Sequence, residues 1–222
     1  MKKVFCLLLL AALPLGAAEK LRVSFARGKW DPELFQYVKN PRVEMKGEIV
    51  PRDDHIANKV PEHLDGEELR SCEDAYCALL TKKKFGGKLL VIAAKMSFDH
   101  TMAPGIIIAP ELGKSADGRH PELRGHYEVI LWRRGITIWD YRYADGKMSW
   151  RKLAYVMGDF KPKTVYDLVV IIDHVHSSRL IVKCGGMEFG CAIPAELAEQ
   201  DFFVGPVACE GLNRFYEFRV RK

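Results

Sequence analysis

The sequence lacks the short motifs that mark several large enzyme classes. It has no glycine-rich phosphate loop, no nucleophile elbow and no H-E-x-x-H pair. It also has no heptad repeat, no duplication at a fixed period and no low-complexity tract. These absences argue against a P-loop enzyme, an α/β-hydrolase, a zincin and a coiled coil.

Cysteine is scarce, and five cysteines follow residue 18: Cys72, Cys77, Cys184, Cys191 and Cys209. Their spacing matches no zinc pattern, and no histidine stands beside one as a catalytic base would. An odd count in an exported protein requires a free thiol or an intermolecular pair. The spacing permits local disulfides, Cys72 with Cys77 and Cys184 with Cys191, or structural free thiols.

Basic and acidic residues are nearly equal in number. The chain has 34 Lys and Arg against 29 Asp and Glu, and its one basic run is Lys82–Lys84. That run precedes a Gly-Gly turn, as a solvated strand end would, so we expect no nucleic-acid partner.

One long apolar run is present, at the N-terminus. Lys2 and Lys3 precede the apolar stretch 4–15, and Gly16-Ala17-Ala18 follows it. This order predicts a signal peptide over residues 1–18, too short for a membrane span. We therefore expect a periplasmic or secreted protein with a mature net charge near +3 and one domain over residues 19–222.

From Leu21 onward the apolar pattern mostly repeats every two residues, as in β-strands. About ten short strands are expected, including a hairpin of 75–85 and 88–98 joined by Gly86-Gly87 and a strand over 164–175. Residues 52–71 and 110–124 read as polar loops. The pattern predicts an all-β fold, a two-sheet antiparallel jelly-roll sandwich.

Residues 125–156 are the centre of the functional prediction, because they hold three of the four tryptophans on three successive strands. A two-residue turn at Arg134-Gly135 would set Glu128 opposite Tyr141 and His126 opposite Tyr143. One face would then carry Trp132, Trp139, Tyr141, Tyr143, His126 and Glu128. The other would turn Tyr127, Val129, Leu131, Ile136 and Ile138 toward a core.

Aromatic rings beside an acid and a histidine suit a sugar, since rings pack on its C–H face and polar groups bind its hydroxyls. The alternative is that these aromatics fill a covered sheet face. Trp150 and Arg151 join the cluster if the chain folds back at Asp145-Gly146. Arg151 would then meet a ligand carboxylate, or form an ion pair with Asp140 or Glu128.

Catalysis would need more than the central strands provide. Glu128 and His126 are the candidate catalytic residues, but a glycoside hydrolase ordinarily needs two carboxylates. The second would come from elsewhere, with Glu210 and Asp99 as candidates. A polysaccharide lyase would use His126, Tyr141 and Arg151 as base and neutralising groups. His174 and His176 form an H-x-H without a third ligand, so neither a metal nor a cofactor is expected.

The segment 205–218, GPVACEGLNRFYEF, together with Trp30-Asp31-Pro32 and Tyr127-Glu128-Val129, resembles exported bacterial proteins of the concanavalin A-like lectin/glucanase superfamily. It looks closest to a poorly characterised glycosidase-like branch. The resemblance implies a jelly roll with a concave face for glycan. The E-x-D-x-x-E motif of the superfamily's glucanases is missing, so the resemblance does not imply their activity. Glu210, Asn213 and Arg214 would line the site or lock the last strand.

Two functions remain at this point. The first is an exported protein that binds or processes a poly- or oligosaccharide on its aromatic face, either as a lectin or as a glycoside hydrolase or polysaccharide lyase. The second is a non-enzymatic structural or interaction module of the cell envelope, in which the same aromatics are core.

Overall fold

The computed structural model describes residues 18–42, 47–60, 68, 75–100, 103–116, 118–175, 178–194 and 200–222. The predicted signal peptide, except for residue 18, lies outside this part of the chain, as do Cys72 and His176. Within it, nearly all regular structure is antiparallel β-sheet.

A seven-stranded sheet forms one layer. From edge to edge it contains Lys147–Met157 (β12), Gly135–Ala144 (β11), His126–Trp132 (β10), Pro104–Ala109 (β7), Phe203–Ala208 (β16), Cys77–Thr81 (β5) and Phe35–Val38 (β2). The three strands predicted over the central stretch are therefore one continuous meander at the edge of this sheet.

An eight-stranded sheet forms the second layer. Its order is Met187–Ala192 (β15), Arg179–Cys184 (β14), Tyr166–Asp173 (β13), Leu89–Phe98 (β6), Asn213–Arg221 (β17), Ile56–Asn58 (β4) and Ile49–Pro51 (β3), with Glu19–Ser24 (β1) also paired to β17. A short ribbon of Leu112–Lys114 (β8) and Pro121–Leu123 (β9) stands apart. One 3-10 turn, Pro32–Leu34, begins at the Asp31 cap.

The main core fills the space between the two sheets. Strand alternation directs Val129 and Leu131 of β10 inward to meet Phe98 of β6 and Phe215 and Phe218 of β17, all of them buried. Burial of each such side chain contributes about 1.5 to 3 kcal/mol relative to exposure. The predicted jelly-roll sandwich and its core side are confirmed.

The predicted hairpin at Gly86-Gly87 is wrong. Its two strands, β5 and β6, belong to different sheets, and Phe85 instead bridges to Phe202. A Cβ on Gly86 would lie 1.6 Å from Asp201 Oδ1, so glycine is required by close packing at the crossover. The dipeptide marks a turn in either case, and only the tertiary context decides whether the chain returns to the same sheet.

Other differences concern short elements inside predicted loops. Strand β4 lies within the loop predicted for 52–71, and the β8–β9 ribbon lies within 110–124. Three-residue strands are too short to produce a visible alternation.

Cys184 and Cys191 are free thiols, as are Cys77 and Cys209. In the β14–β15 ladder Cys184 pairs with Met187 and Cys191 with Leu180. Four positions along a strand separate them by about 13 Å, whereas a disulfide needs Cα atoms within about 7 Å. The local disulfide that their spacing permitted is thus absent.

Candidate functional site

The candidate site lies on the face of β10–β12 that points away from the sandwich core. Inward positions on β10 and β11 carry Tyr127, Val129, Leu131, Ile136 and Ile138, as predicted. Outward positions carry the predicted ring-bearing residues. We call this outward surface the aromatic face; its ring-bearing members are Trp132, Trp139, Tyr141, Tyr143, Trp150 and Tyr155.

The register of the central hairpin differs from the prediction by two residues. Arg133 and Arg134 form the turn, Trp132 pairs with Gly135, and Glu128 therefore lies opposite Trp139 rather than Tyr141. A shift of two residues keeps every side chain on its original face, because side chains alternate with period two. The residues predicted to share one face therefore do so, although the predicted pairing between the two strands is wrong.

Two rows of side chains cross the meander. One row is Glu128, Trp139 and Lys152, and the next is His126, Tyr141 and Trp150. Strand β12 has a β-bulge between Lys152 and Ala154. Beyond this bulge, toward the Arg133-Arg134 turn, Tyr155 pairs with Thr137. Each row places an acid or imidazole on β10, an aromatic ring on β11 and an exposed residue on β12.

The second row is a series of neighbouring rings that runs from buried to exposed. The His126 and Tyr141 rings are parallel within 2° at 4.6 Å, and the Tyr141 and Trp150 centroids are 6.4 Å apart. Tyr141 is only 5% exposed, whereas Trp150 is 51% exposed. The open part of the aromatic face therefore lies over β11 and β12.

Trp132 occupies the turn end of the face. It is half-buried and stacks on Tyr155 with a centroid distance of 5.9 Å. The rings meet across Gly135, where a Cβ would lie 2.7 Å from Tyr155 Cε2 and 2.1 Å from the Val156 carbonyl oxygen. Tyr143, also half-buried, lies at the opposite end beneath the Arg124 guanidinium, 4.2 Å from its ring centroid.

Glu128 and His126, the two candidate catalytic residues, form a buried pair. His126 Nε2 lies 3.3 Å from Glu128 Oε1, and Glu128 is 2% exposed. His126 Nδ1 lies 3.0 Å from the Arg124 carbonyl oxygen, which can only accept, so Nδ1 carries a proton. The Nε2–Oε1 contact then needs one further proton, held by the imidazole or by the carboxyl group.

Tyr76 completes this buried polar cluster. Its hydroxyl donates to Glu128 Oε1 at 3.5 Å. Burial, together with the nearby Glu128 charge, raises the pKa of Tyr76 well above its ordinary value, and the same two causes raise that of Tyr141. Both phenols are therefore neutral donors at physiological pH.

Two cations rest on the aromatic face without a carboxylate partner in the described part of the chain. Arg42 donates to the Tyr141 hydroxyl at 3.1 Å and lies 4.4 Å above the Trp150 ring. Lys152 Nζ lies 5.3 Å from the Trp139 centroid and 5.5 Å from that of Tyr155. A third cation, Arg124, is paired with Glu122 at 3.0 Å.

Arg151 does not lie with Trp150 on this face. It pairs with Asp140, whose side chain points to the opposite side of the sheet, and its Nε lies 3.0 Å from Asp140 Oδ2. Arg142 meets the other carboxylate oxygen at 2.7 Å and donates to the Tyr127 hydroxyl. The expectation that Arg151 joins the aromatic cluster is therefore corrected, and its ion-pair alternative holds.

Of the two candidate second acids, Asp99 lies in the other sheet, and Glu210 accepts a hydrogen bond from Asn213 through its backbone carbonyl. Asp99 ends β6 in the other sheet and binds Arg214 through two hydrogen bonds, of 2.7 and 3.1 Å. The fully buried Asn213 side chain donates to the carbonyl oxygens of Glu210 and Gly211, and its backbone N–H donates to Asn58 Oδ1. Asn213 and Arg214 thus lock the last strand.

No group of three or more potential metal-ligating side chains occurs among the residues that the structure describes. The two imidazole nitrogens of His174 have no hydrogen-bond partner there, and burial lowers the pKa of this side chain. Over the same residues, no helix is long and apolar enough to cross a membrane.

Sequence reasoning missed three contributors to the aromatic face: Arg42, Lys152 and Tyr155. Lys152 could have been found, because it follows Trp150 by two positions on one strand. Tyr155 lies beyond the β12 bulge, which reverses the alternation and hides it from a pattern argument. Arg42 comes from the chain just after β2 and is far from the meander in sequence.

No family model matches the sequence, and no curated protein matches it. Solved structures do. The carbohydrate recognition domain of Emp46p, in its potassium-bound form, aligns with a TM-score of 0.61 and 9% identity over 90% of this chain and 95% of that one. The carbohydrate-binding module CBM66 from Bacillus subtilis aligns at 0.55 and 9% identity over 85% and 96% of the two chains.

The exoplasmic/lumenal domain of VIP36, in a form bound to Ca2+ and Man3GlcNAc, aligns at 0.56 and 10% identity over 92% and 90% of the two chains. These structures share the two-layer sandwich architecture of this chain. This chain has the concanavalin A-like jelly-roll fold. At these identities the likeness concerns the fold, whereas function depends on the residues of the site.

Proposed function

We propose that this protein binds a poly- or oligosaccharide on its aromatic face. The observation that carries the proposal is the partly exposed ring surface of Trp139, Tyr155 and Trp150 on two neighbouring strands. Aromatic faces pack against the C–H surface of a sugar ring, and the rings here are held by their neighbours before any ligand arrives.

The likeness in fold supports the same proposal. Solved structures named as a carbohydrate-binding module and as carbohydrate recognition domains share the architecture over most of both chains. The sequence of residues 1–18 supports export to the periplasm or the exterior. Mass spectrometry of the protein recovered from its producing cell tests that part; a mature chain beginning at Glu19 is expected.

Binding is favoured over hydrolysis because Glu128 is enclosed. Its carboxylate already contacts His126 and Tyr76, and its 2% exposure leaves a substrate no access to it in this conformation. Asp99, one of the two candidate partners, is engaged by Arg214 in the other sheet. A glycoside hydrolase would need two accessible carboxyl groups at one glycosidic bond.

Replacement of Trp150 by alanine tests the proposal with the least effect on folding, because this side chain is half-exposed. We expect glycan affinity, measured by glycan array and affinity gel electrophoresis, to fall at least about tenfold. Trp139→Ala should weaken binding similarly, and a urea unfolding curve is needed because Trp139 also packs against buried neighbours.

The matched control is Tyr216→Ala, which removes an aromatic side chain from the eight-stranded sheet. It should retain wild-type binding. If neither Trp150→Ala nor Trp139→Ala changes the affinity for any retained glycan, the aromatic face is not the binding site.

A non-enzymatic interaction module is the second candidate, and the burial of Tyr141, His126 and Glu128 favours it. These three side chains are buried beneath the outward surface, where they stabilise the fold whether or not a ligand binds. A wild-type protein that retains no glycan in the same assays supports this second function.

A further inference from the structure

We propose that the saccharide bound by the aromatic face is acidic, with its carboxylate or sulfate groups held by Arg42 and Lys152. The inference rests on the proposed function and adds the chemical class of the ligand. It is carried by two cations that lie on the exposed rings and have no acidic partner among the described residues.

The charge balance of the meander is positive on its exposed surface. Residues 126–157 contain six Lys and Arg against three Asp and Glu. Glu128 is buried with His126, and Asp140 points to the other side with Arg142 and Arg151. The remaining acid, Asp145, lies in the turn after β11. Within residues 126–157, no carboxylate therefore balances the positive charge that lies on the exposed rings.

Both cations are held in place by the rings beneath them. Arg42 is fixed by Trp150 and the Tyr141 hydroxyl, and Lys152 lies over both Trp139 and Tyr155. A cation held over an aromatic ring loses less side-chain freedom when an anion binds, so the entropic cost of binding is reduced. Arg42 retains guanidinium N–H groups beyond the one used by Tyr141, and these match carboxylate and sulfate oxygens.

The spacing suits a polymer rather than a single ion. Lys152 and Trp150 are two positions apart on β12, hence about 7 Å apart along the strand, and Arg42 lies over Trp150. Rings and charges therefore alternate along the same edge. A chain of sugar units with repeated acidic groups would contact both kinds of group at once, whereas a small inorganic anion would contact only one.

The experiment compares pairs of glycans that differ only in charge. Polygalacturonate is tested against its carboxyl-reduced form, and dextran sulfate against dextran, by affinity gel electrophoresis and calorimetry of the full chain. The acidic member of at least one pair should bind at least about tenfold more tightly. Its affinity should fall as salt is raised, because exposed charge pairs are screened. The two pairs separate carboxylate from sulfate recognition.

The double variant Arg42→Gln/Lys152→Gln removes both charges and keeps hydrogen-bond donors. It should weaken binding of the acidic glycan at least about tenfold. Lys83→Gln/Lys88→Gln, exposed lysines outside the meander, gives the same change of net charge and should retain wild-type binding. Equal losses in the two double variants would reveal attraction by net charge alone and overturn the inference.

Failure of the inference and of the proposed function give different results. If neutral and acidic glycans bind equally, and Trp150→Ala weakens both while Arg42→Gln/Lys152→Gln weakens neither, the face binds sugar without preference for acid. If no glycan of either kind binds, the proposed function is overturned together with the inference.

Discussion

Glu128 is the residue on which the buried part of the aromatic face depends. Its Oε1 atom contacts both His126 Nε2 and the Tyr76 hydroxyl, and His126 in turn supports the Tyr141 ring. Removal of the carboxylate would leave two buried polar groups without this partner. Such groups cost about 1 to 3 kcal/mol each when they are left unsatisfied.

We therefore expect Glu128→Ala to lower the free energy of unfolding by about 2 to 4 kcal/mol, measured by urea denaturation. Glu128→Gln is the matched control. Its amide nitrogen, in place of Oε1, can donate one hydrogen bond to a neutral His126 Nε2 and another to the Tyr76 hydroxyl oxygen, so most of the stability should return. Glu111→Ala, on an exposed side chain, should have almost no effect. Equal losses for the alanine and glutamine variants would contradict this account of the pair.

The β10–β11 hairpin depends on the absence of a side chain at Gly135. A Cβ there would overlap the Val156 carbonyl and the Tyr155 ring, at 2.1 and 2.7 Å. The small residue lets Tyr155 reach across β11 to Trp132. The β10–β11 hairpin therefore positions the turn end of the aromatic face through the close approach of the Gly135 and Val156 backbones.

Gly135→Ala should destabilise the protein by about 1 to 3 kcal/mol, because the added atom displaces β12 from β11. Near-ultraviolet circular dichroism should lose the contribution of the stacked Trp132 and Tyr155 rings. Gly146→Ala is a useful comparison, since it also lies in a turn of the meander but has open space around a Cβ; its cost should come from the positive φ of 74° alone. Equal changes in the ring signal of both variants would argue against the contact at Gly135.

The strands of this meander were predictable because their signal is local. Alternating apolar residues and the Asp145-Gly146 turn determine β10, β11 and β12 without reference to the rest of the chain. The face assignment tolerated a register error because the error was two residues. The crossover at Gly86-Gly87 was not predictable, since pairing of Phe85 with Phe202 depends on contacts far apart in sequence.

The candidate site was predictable only in part for the same reason. Trp132, Trp139, Tyr141, Tyr143 and Trp150 follow from alternation along contiguous strands. Arg42 and Tyr76 reach the site through tertiary packing, and Tyr155 joins the aromatic face because of the β12 bulge. The charge of the face, on which the ligand class depends, therefore became visible only in three dimensions.

At the scale of the whole molecule, buried thiols in both sheets make stability sensitive to alkaline pH. Burial raises the pKa of Cys77 in the seven-stranded sheet and of Cys184 in the eight-stranded sheet from 9.0 to about 12. Their neutral forms are favoured in the folded state. The stability they contribute is fully present below pH 9 and is lost as pH rises from 9 toward 12.

Each of these thiols should lower the free energy of unfolding by up to about 1.4 kcal/mol per pH unit in that window. Urea unfolding midpoints measured from pH 8 to pH 10.5 should fall steadily. Cys184→Ala should start from a lower stability, because a core side chain is shortened, but show a shallower decline with pH. A midpoint that stays constant above pH 9 would contradict the assignment of buried neutral thiols.

The position of β17 has a consequence for the time course of folding. The β10–β12 meander joins residues close in sequence, and such hairpins form in about 1 to 10 μs. Strand β17 instead pairs with β6 and β1, and contacts such as Arg214–Asp99 and Arg22–Glu217 span 115 and 195 residues. Closure of the eight-stranded sheet around β17 should therefore be the slow event, and the aromatic face can take shape before the sandwich behind it is complete.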